Sequence, residues 1–263
     1  MTTTSPSISP IHELKCFGIR PGEGNAALVL LDDQRDAAAR QAYAAASGRS
    51  ACVFVDRSDG LVLDYYYPHM RSPLCLHATL AAARVLLGDA PGPLQVRTAL
   101  RGQALTLLRR GADVYVALAL QDAPQPPLPG DLVERLVPGI ALVSPPRIAS
   151  VGSPKLLLEV AGPEALHALR PDLAAIHAWG KEQGISGCYA WCRRPDGALE
   201  GRNFNHLEPG MEDSATGVAA GALAVLLGGP VLLYQGTNVD SPCLLRAQPD
   251  GAAILVGGAA EAV

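Results

Sequence analysis

Apolar positions in this chain fall mostly in short runs bounded by Gly, Pro, Asn or Asp, the pattern of strands, and only a few stretches hold them at helical spacing. Leu14-Lys15-Cys16-Phe17 and Ala27-Leu28-Val29-Leu30-Leu31 flank the turn Pro21-Gly22-Glu23-Gly24-Asn25 and predict a hairpin. Residues 51–55 and 61–68 predict two further strands, and 95–100, 104–108 and 114–120 a meander. In the second half the strand-like stretches are 141–143, 147–151, 156–160, 188–192, 202–207, 243–246 and 253–256. Helices are predicted over 35–46, which Ser47-Gly48 stops, over 163–169 and over 173–183. Residues 1–10 carry the pattern of neither element.

Two Ala/Leu-rich stretches are alike. Leu74-Cys75-Leu76-His77-Ala78-Thr79 leads into a run ending Val85-Leu86-Leu87-Gly88, and Asp213-Ser214-Ala215-Thr216-Gly217 leads into one ending Val225-Leu226-Leu227-Gly228. In each, small and reactive residues enter a helix stopped by glycine, and a helix start presents free N–H groups and a positive dipole end. Upstream of each lies a second echo, Gly24-Asn25-Ala26-Ala27-Leu28 against Gly152-Ser153-Pro154-Lys155-Leu156. Two echoes in the same order predict a duplicated lobe rather than a solenoid. Repeated prolines deny the backbone both helix and ladder bonds, so Pro124-Gln125-Pro126-Pro127-Leu128-Pro129-Gly130 marks the boundary. The expected organisation is an N-terminal lobe of residues 1–123 and a C-terminal lobe of 124–263, with the final strand free to return to the first. The expected fold class is α+β, two pseudo-symmetric lobes, each a curved, mostly antiparallel sheet wrapped around a central helix. Two helix starts facing one another would hold a carboxylate with a reactive side chain on either side.

The 263 residues suffice for two domains of ordinary size. A net charge of −4 without a basic cluster gives no footprint for nucleic acid and no face for an anionic membrane, which leaves a small molecule as partner. No run reaches the ~18 apolar residues of a spanning helix, and residues 1–10 lack the basic and apolar parts of a signal peptide, so the expected location is cytoplasmic. The six cysteines then read as thiols rather than as a disulfide framework. Cys52 is expected on the strand face opposite Ala51, in the core. Cys188 and Cys192 share a face but lack a second ligand pair, so no metal site is read. No glycine-rich nucleotide loop is present, and no cofactor is implied.

These segments resemble, in order and over nearly the whole chain, the motifs of the PhzF-like (phenazine-biosynthesis) isomerases, which share the fold of diaminopimelate epimerase and proline racemase. The family's Gly-Asn-Pro turn is met by Gly24-Asn25-Ala26, and its Leu-Cys-Gly-His-Ala-Thr-Leu-Ala by Leu74-Cys75-Leu76-His77-Ala78-Thr79-Leu80-Ala81. Its Ser-Val-Gly-Asn-Pro is met by Ser150-Val151-Gly152-Ser153-Pro154, its Glu-Asp-Pro-Ala-Thr-Gly by Glu212-Asp213-Ser214-Ala215-Thr216-Gly217, and its late Gln-Gly by Gln235-Gly236. The resemblance implies a cofactor-independent isomerase or epimerase that moves a proton at the carbon next to the carboxylate of a small amino or hydroxy acid, in the cleft between the lobes. A homodimer is compatible with it. It implies catalytic positions at Cys75, Ser214, Asp213 and His77, and substrate-binding positions at Asn25, Leu76, Ala78, Ala215, Thr216 and Gly217. Three departures fall at the chemistry: Ala51 stands where the family has a proton-shuttling glutamate, Leu76 replaces a glycine and Ser214 a proline. In the racemase relatives both motifs carry a cysteine; Cys75 holds the first of those positions and Ser214 the second.

Abstracting such a proton needs a base on the C–H axis and stabilisation of an enolate-like charge. Cys75 at a helix start is expected to have a lowered thiol pKa, whereas a serine hydroxyl is a poor base, so the pair suits a one-way proton shift or an elimination better than racemisation. Plainer readings stay open: Cys75 as a small buried residue, Ser214 as the helix N-cap, Asp213 as a complement to the helix dipole, His77 as a satisfied core histidine. His206 and Glu208 line the cleft or sit on a solvated loop. The loss at Ala51 supports a rival, a catalytically lapsed member that binds a small carboxylate; a dehydrating lyase using the same abstraction is the third.

Overall fold

A computed structural model of the chain describes residues 10–204 and 212–263. His206, Glu208 and the end of the strand predicted over 202–207 lie outside the described residues. Strands β1 (Ile11–Phe17) and β2 (Gly24–Leu31) form the predicted antiparallel hairpin, with Phe17 opposite Gly24. Helix α1 (Ala37–Ala46), whose first turn is capped by the Asp36 carboxylate accepting from the Ala39 N–H, crosses to β3 (Ala51–Asp56), parallel to β2. β4 (Val62–Tyr66) returns antiparallel to β3, and the short β5 (Arg71–Ser72) folds back on it. Helix α2 (Leu76–Leu87) then leads to β6 (Leu94–Thr98), parallel to β4, and on through the meander of β7 (Ala104–Arg110) and β8 (Asp113–Ala119).

After α3 (Leu132–Leu136) the order repeats. β9 (Arg147–Ala149) and β10 (Lys155–Glu159) are antiparallel, α4 (Pro163–Ala168) and α5 (Leu173–Gln183) cross, and β11 (Cys188–Arg193) lies parallel to β10. β12 (Leu199–Phe204) runs antiparallel to β11, β13 (Glu212–Asp213) folds back on β12, and helix α6 (Gly217–Leu227) follows. β14 (Val231–Gln235) is parallel to β12, and β15 (Cys243–Asp250) and β16 (Ala253–Gly258) complete the meander. Pairing for pairing, the directions match those of the first lobe. β8 and β16 pair antiparallel and join the lobes into one sheet, and β17 (Ala260–Ala262) returns to β1.

The fold is thus two pseudo-symmetric lobes with one central helix each. Because α2 and α6 are apolar nearly all round, they bury nearly all round. Leu80 and Leu223 lie at 0% exposure in one core shared by both lobes, each contributing roughly 1.5–3 kcal/mol. Strand alternation sends the opposite faces outward. Leu156, Leu158, Cys188 and Cys192 meet α3, α4 and α5, while Cys52, Phe54 and Tyr66 meet α1. Ala51 joins the central core, so Cys52 and Ala51 take opposite faces as expected.

The stretch 141–143, expected as a strand, contributes one isolated bridge between Leu142 and Val160. Pro145 and Pro146 follow after Ser144 and cannot donate to a ladder. Among the described residues no helix is long and apolar enough to cross a membrane.

Candidate active site

Helices α2 and α6 begin side by side, and Gly217 permits it. A Cβ there would lie 2.8 Å from Leu76 Cδ1 and 2.9 Å from Leu76 Cβ, too close for any other residue without a shift. Both helix starts open on a cavity of about 920 Å³ that residues of both lobes line. Among the described residues, every catalytic or substrate-binding candidate named from the sequence lines it except Ala78, which is wholly buried in the core.

On the C-terminal side, β13 carries Asp213 to the cavity. The Thr216 hydroxyl donates to Asp213 Oδ2 at 2.6 Å, and the Ala215 N–H points at Oδ1 from 3.5 Å. Thr216 occupies the N-cap of α6, yet its side chain serves Asp213 rather than its own helix. Gln235, at the end of β14, fixes this arrangement. Its Nε2 donates to Asp213 O at 2.7 Å and to Thr216 Oγ1 at 3.0 Å, and its Oε1 accepts from the Thr216 N–H and the Tyr189 hydroxyl at 3.2 and 2.8 Å. With two donors and two acceptors used, the amide has one orientation. Gly236, at φ +94°, lets the next loop close over Ser214, since a Cβ there would sit 2.8 Å from Ser214 O.

On the N-terminal side, Cys75 is the N-cap of α2 but makes no capping bond through its side chain. Its Sγ lies 3.4 Å from His77 Nδ1. The Tyr67 hydroxyl and the N–H groups of Ala78 and His77 lie close enough to the sulfur to hold its pKa down. Burial outweighs them and, with the Asp213 charge adding, pushes the thiol up to about 11. The lowered pKa expected from the helix start is therefore not found, because desolvation is the larger effect. Burial also keeps the His77 imidazole below its ordinary range, against the pull of Asp213, and raises the Tyr67 hydroxyl well above its own. At neutral pH all three groups are uncharged, and each feels Asp213.

Ser214 does not cap the helix. Its hydroxyl donates to Asn25 Oδ1 at 2.5 Å, a bond between the two lobes. On the α6 side the backbone donors expected to cradle an anion are spoken for: the Thr216 N–H goes to Gln235 and that of Ala215 toward Asp213. Leu76 occupies the gap between the helix starts. The first N–H groups of α6, on Gly217 and Val218, have no intrahelical acceptor, and both residues line the cavity.

The sequence reading passed over three residues here. Tyr67 stood at the end of a strand candidate. Gln235 was part of a matched motif with no role attached. Lys155 was the one charge opening an apolar strand, where the other copy of the repeat has Ala27, and that mismatch was the available signal. Lys155 is 2% exposed, its Nζ donates to Ser186 O, and burial lowers its pKa to about 8 against the pull of Asp213 and Cys188. Among the described residues no group of three His, Cys, Asp or Glu is placed to hold a metal ion.

A family profile described as phenazine biosynthesis-like protein (PhzC-PhzF) matches residues 14–241. An uncharacterized isomerase of Deinococcus radiodurans is 30% identical over 264 aligned positions, covering 88% of this chain and 83% of that one. The uncharacterized isomerase YddE of Escherichia coli O157:H7 is 28% identical over 235, covering 82% and 78%. Among solved structures, one described as a predicted epimerase from Pseudomonas aeruginosa superposes with a TM-score of 0.76 at 26% identity, over 97% of both chains.

Proposed function

The chain belongs to the phenazine biosynthesis-like (PhzC-PhzF) family, and on that premise we propose that it is an isomerase moving a proton at the carbon next to the carboxylate of a small amino or hydroxy acid, in the cavity both lobes line. The relatives named as isomerases and the epimerase among the structural neighbours support the reaction class. The observation that carries the reading is the placement of Asp213 and His77, which reach one cavity from different lobes, each held by a neighbour, Thr216 for Asp213 and Cys75 for His77.

Asp213 takes the proton and, as the carboxylic acid so formed, returns it to the substrate, directly or through the neutral His77, which can accept it and pass it on. The enolate-like charge left on the substrate faces the Gly217 and Val218 N–H groups at the positive end of α6. Cys75, protonated at neutral pH, orients the imidazole. Ser214 holds the lobes together through Asn25, and Leu76, Ala215 and Thr216 complete the wall that the substrate meets, over the buried Ala78. The test is a panel of amino and hydroxy acids incubated with the protein in deuterated water. Isomerised product or deuterium at the carbon next to the carboxylate is expected for at least one acid of the panel, and bound ligand without either would leave a carboxylate-binding protein.

A further inference from the structure

Lys155 is a buried charged side chain of the cavity that this chemistry leaves unused. It opens β10 on the same face as Leu157, toward the central core, lines the cavity and is almost wholly buried. An ammonium has three N–H donors, yet among the described residues the Ser186 carbonyl is its one hydrogen-bond acceptor, and no carboxylate lies within ion-pair distance. Burying a charge is costly unless it is paired, and an apolar chain of similar length would fill the same space, so packing does not account for a lysine here.

The size of the cavity leads the same way. At about 920 Å³ it stands near the top of the roughly 300–1,000 Å³ range of ligand pockets. A substrate held by its carboxylate at the α6 start therefore has room for a substituent that extends further. Arg101 and Lys181 also line the cavity but are exposed, where water screens their charge. The buried cation is the one able to discriminate.

We propose that Lys155 receives a second anionic group of the substrate, besides the carboxylate next to the reacting carbon, so that the pocket selects acids with two negative groups. The assignment rests on the reading of this cavity as the isomerase site. A carboxylate at Lys155 Nζ adds a counter-charge in direct contact to the more distant pull of Asp213 and takes up donors that Ser186 O leaves over.

Calorimetric titration with glutarate and its monoamide, and with succinate and its monoamide, tests this on the wild type, Lys155→Met and Lys155→Arg. The wild type is expected to bind the better-fitting diacid roughly ten- to a hundredfold more tightly than its monoamide, the scale of one charge-assisted hydrogen bond. Lys155→Arg keeps that preference, and Lys155→Met abolishes it by weakening the diacid alone. A wild type with no preference overturns the assignment without recourse to any variant. So does a Lys155→Met protein that keeps the preference, or one that loses acid and monoamide equally, since Lys155 would then hold the carboxylate beside the reacting carbon. Deuterium exchange on the panel of amino and hydroxy acids is scored separately. Exchange without the diacid preference sinks the Lys155 assignment alone, and the preference without exchange sinks the isomerase reading while Lys155 stands as a binding residue.

Discussion

Replacing Cys75 by alanine separates two chemistries that the sequence alone left side by side. With the thiol pushed up to about 11, about one molecule in 1,000 carries a thiolate at pH 8 and about one in 10,000 at pH 7. A mechanism with that thiolate as base must accelerate roughly tenfold per pH unit up to about 11, and it must vanish in Cys75→Ala. If Cys75 instead orients His77, the variant loses one sulfur–imidazole contact of 3.4 Å. Such a contact contributes about 0.5–1.5 kcal/mol, so the reaction slows by about two- to tenfold. The assay is the rate of deuterium entry at the carbon next to the carboxylate, followed by proton NMR from pH 6 to 10 on an acid the wild type turns over. The account predicts profiles of the same shape for wild type and variant, offset by that factor. A rate climbing tenfold per pH unit in the wild type, together with a loss of a thousandfold or more in Cys75→Ala, would refute the reasoning and restore the thiolate.

Three further outcomes follow from contacts in the structure. Gly217→Ala places a methyl 2.8 Å from Leu76 Cδ1, an overpacking of about 1–3 kcal/mol that lowers the melting temperature by about 2–4 °C per kcal/mol. Adding Leu76→Ala recovers part of it, whereas strictly additive losses would mean that the helix starts do not touch. Thr216→Val removes the donor to Asp213 Oδ2 and a partner of Gln235, a charge-assisted bond of about 1.5–3 kcal/mol; kcat/KM falls about ten- to a hundredfold with the circular dichroism unchanged, and an unaltered rate would remove Thr216 from the positioning of Asp213. For Lys155, burial lowers the folded pKa to about 8 while an unfolded lysine titrates near ~10.4. Between those values the unfolded chain binds more protons and stability rises with pH, so the penalty is full below pH 8. Its size is on the order of 3 kcal/mol. Lys155→Met therefore gains about that much at pH 7 in urea unfolding and nothing at pH 11; destabilisation at pH 7 would show that Lys155 is a structural residue.

Much of the fold was legible because duplication writes the same local signals twice. The loops into α2 and α6, their glycine stops and the two upstream echoes fall in register with a repeated set of strand pairings. β14 was missed because Val231-Leu232-Leu233-Tyr234 follows Gly228-Gly229-Pro230 with no alternation to mark it, and α3 spans too few residues to show a helical period. The residues of the candidate site were legible as a set, but their states were not. Local rules gave Cys75 a lowered pKa and Ser214 a capping role. Burial overrode the first, and Asn25, 189 positions away, overrode the second. Lys155 escaped for the same reason, since whether a charge at the start of an apolar strand ends in water or inside a cavity depends on what the second lobe packs around it.

The central claim is that Asp213 moves a proton at the carbon next to a carboxylate, and isotope exchange at that carbon by wild type and Asp213→Asn, side by side in deuterated water, tests it most directly. Asparagine keeps the size of Asp213 and can still accept from the Thr216 hydroxyl, so ligand binding persists. The account predicts deuterium incorporation by the wild type and a rate lower by about 10²–10⁴-fold in the variant, the usual contribution of a general base. Exchange by Asp213→Asn at the wild-type rate would contradict it.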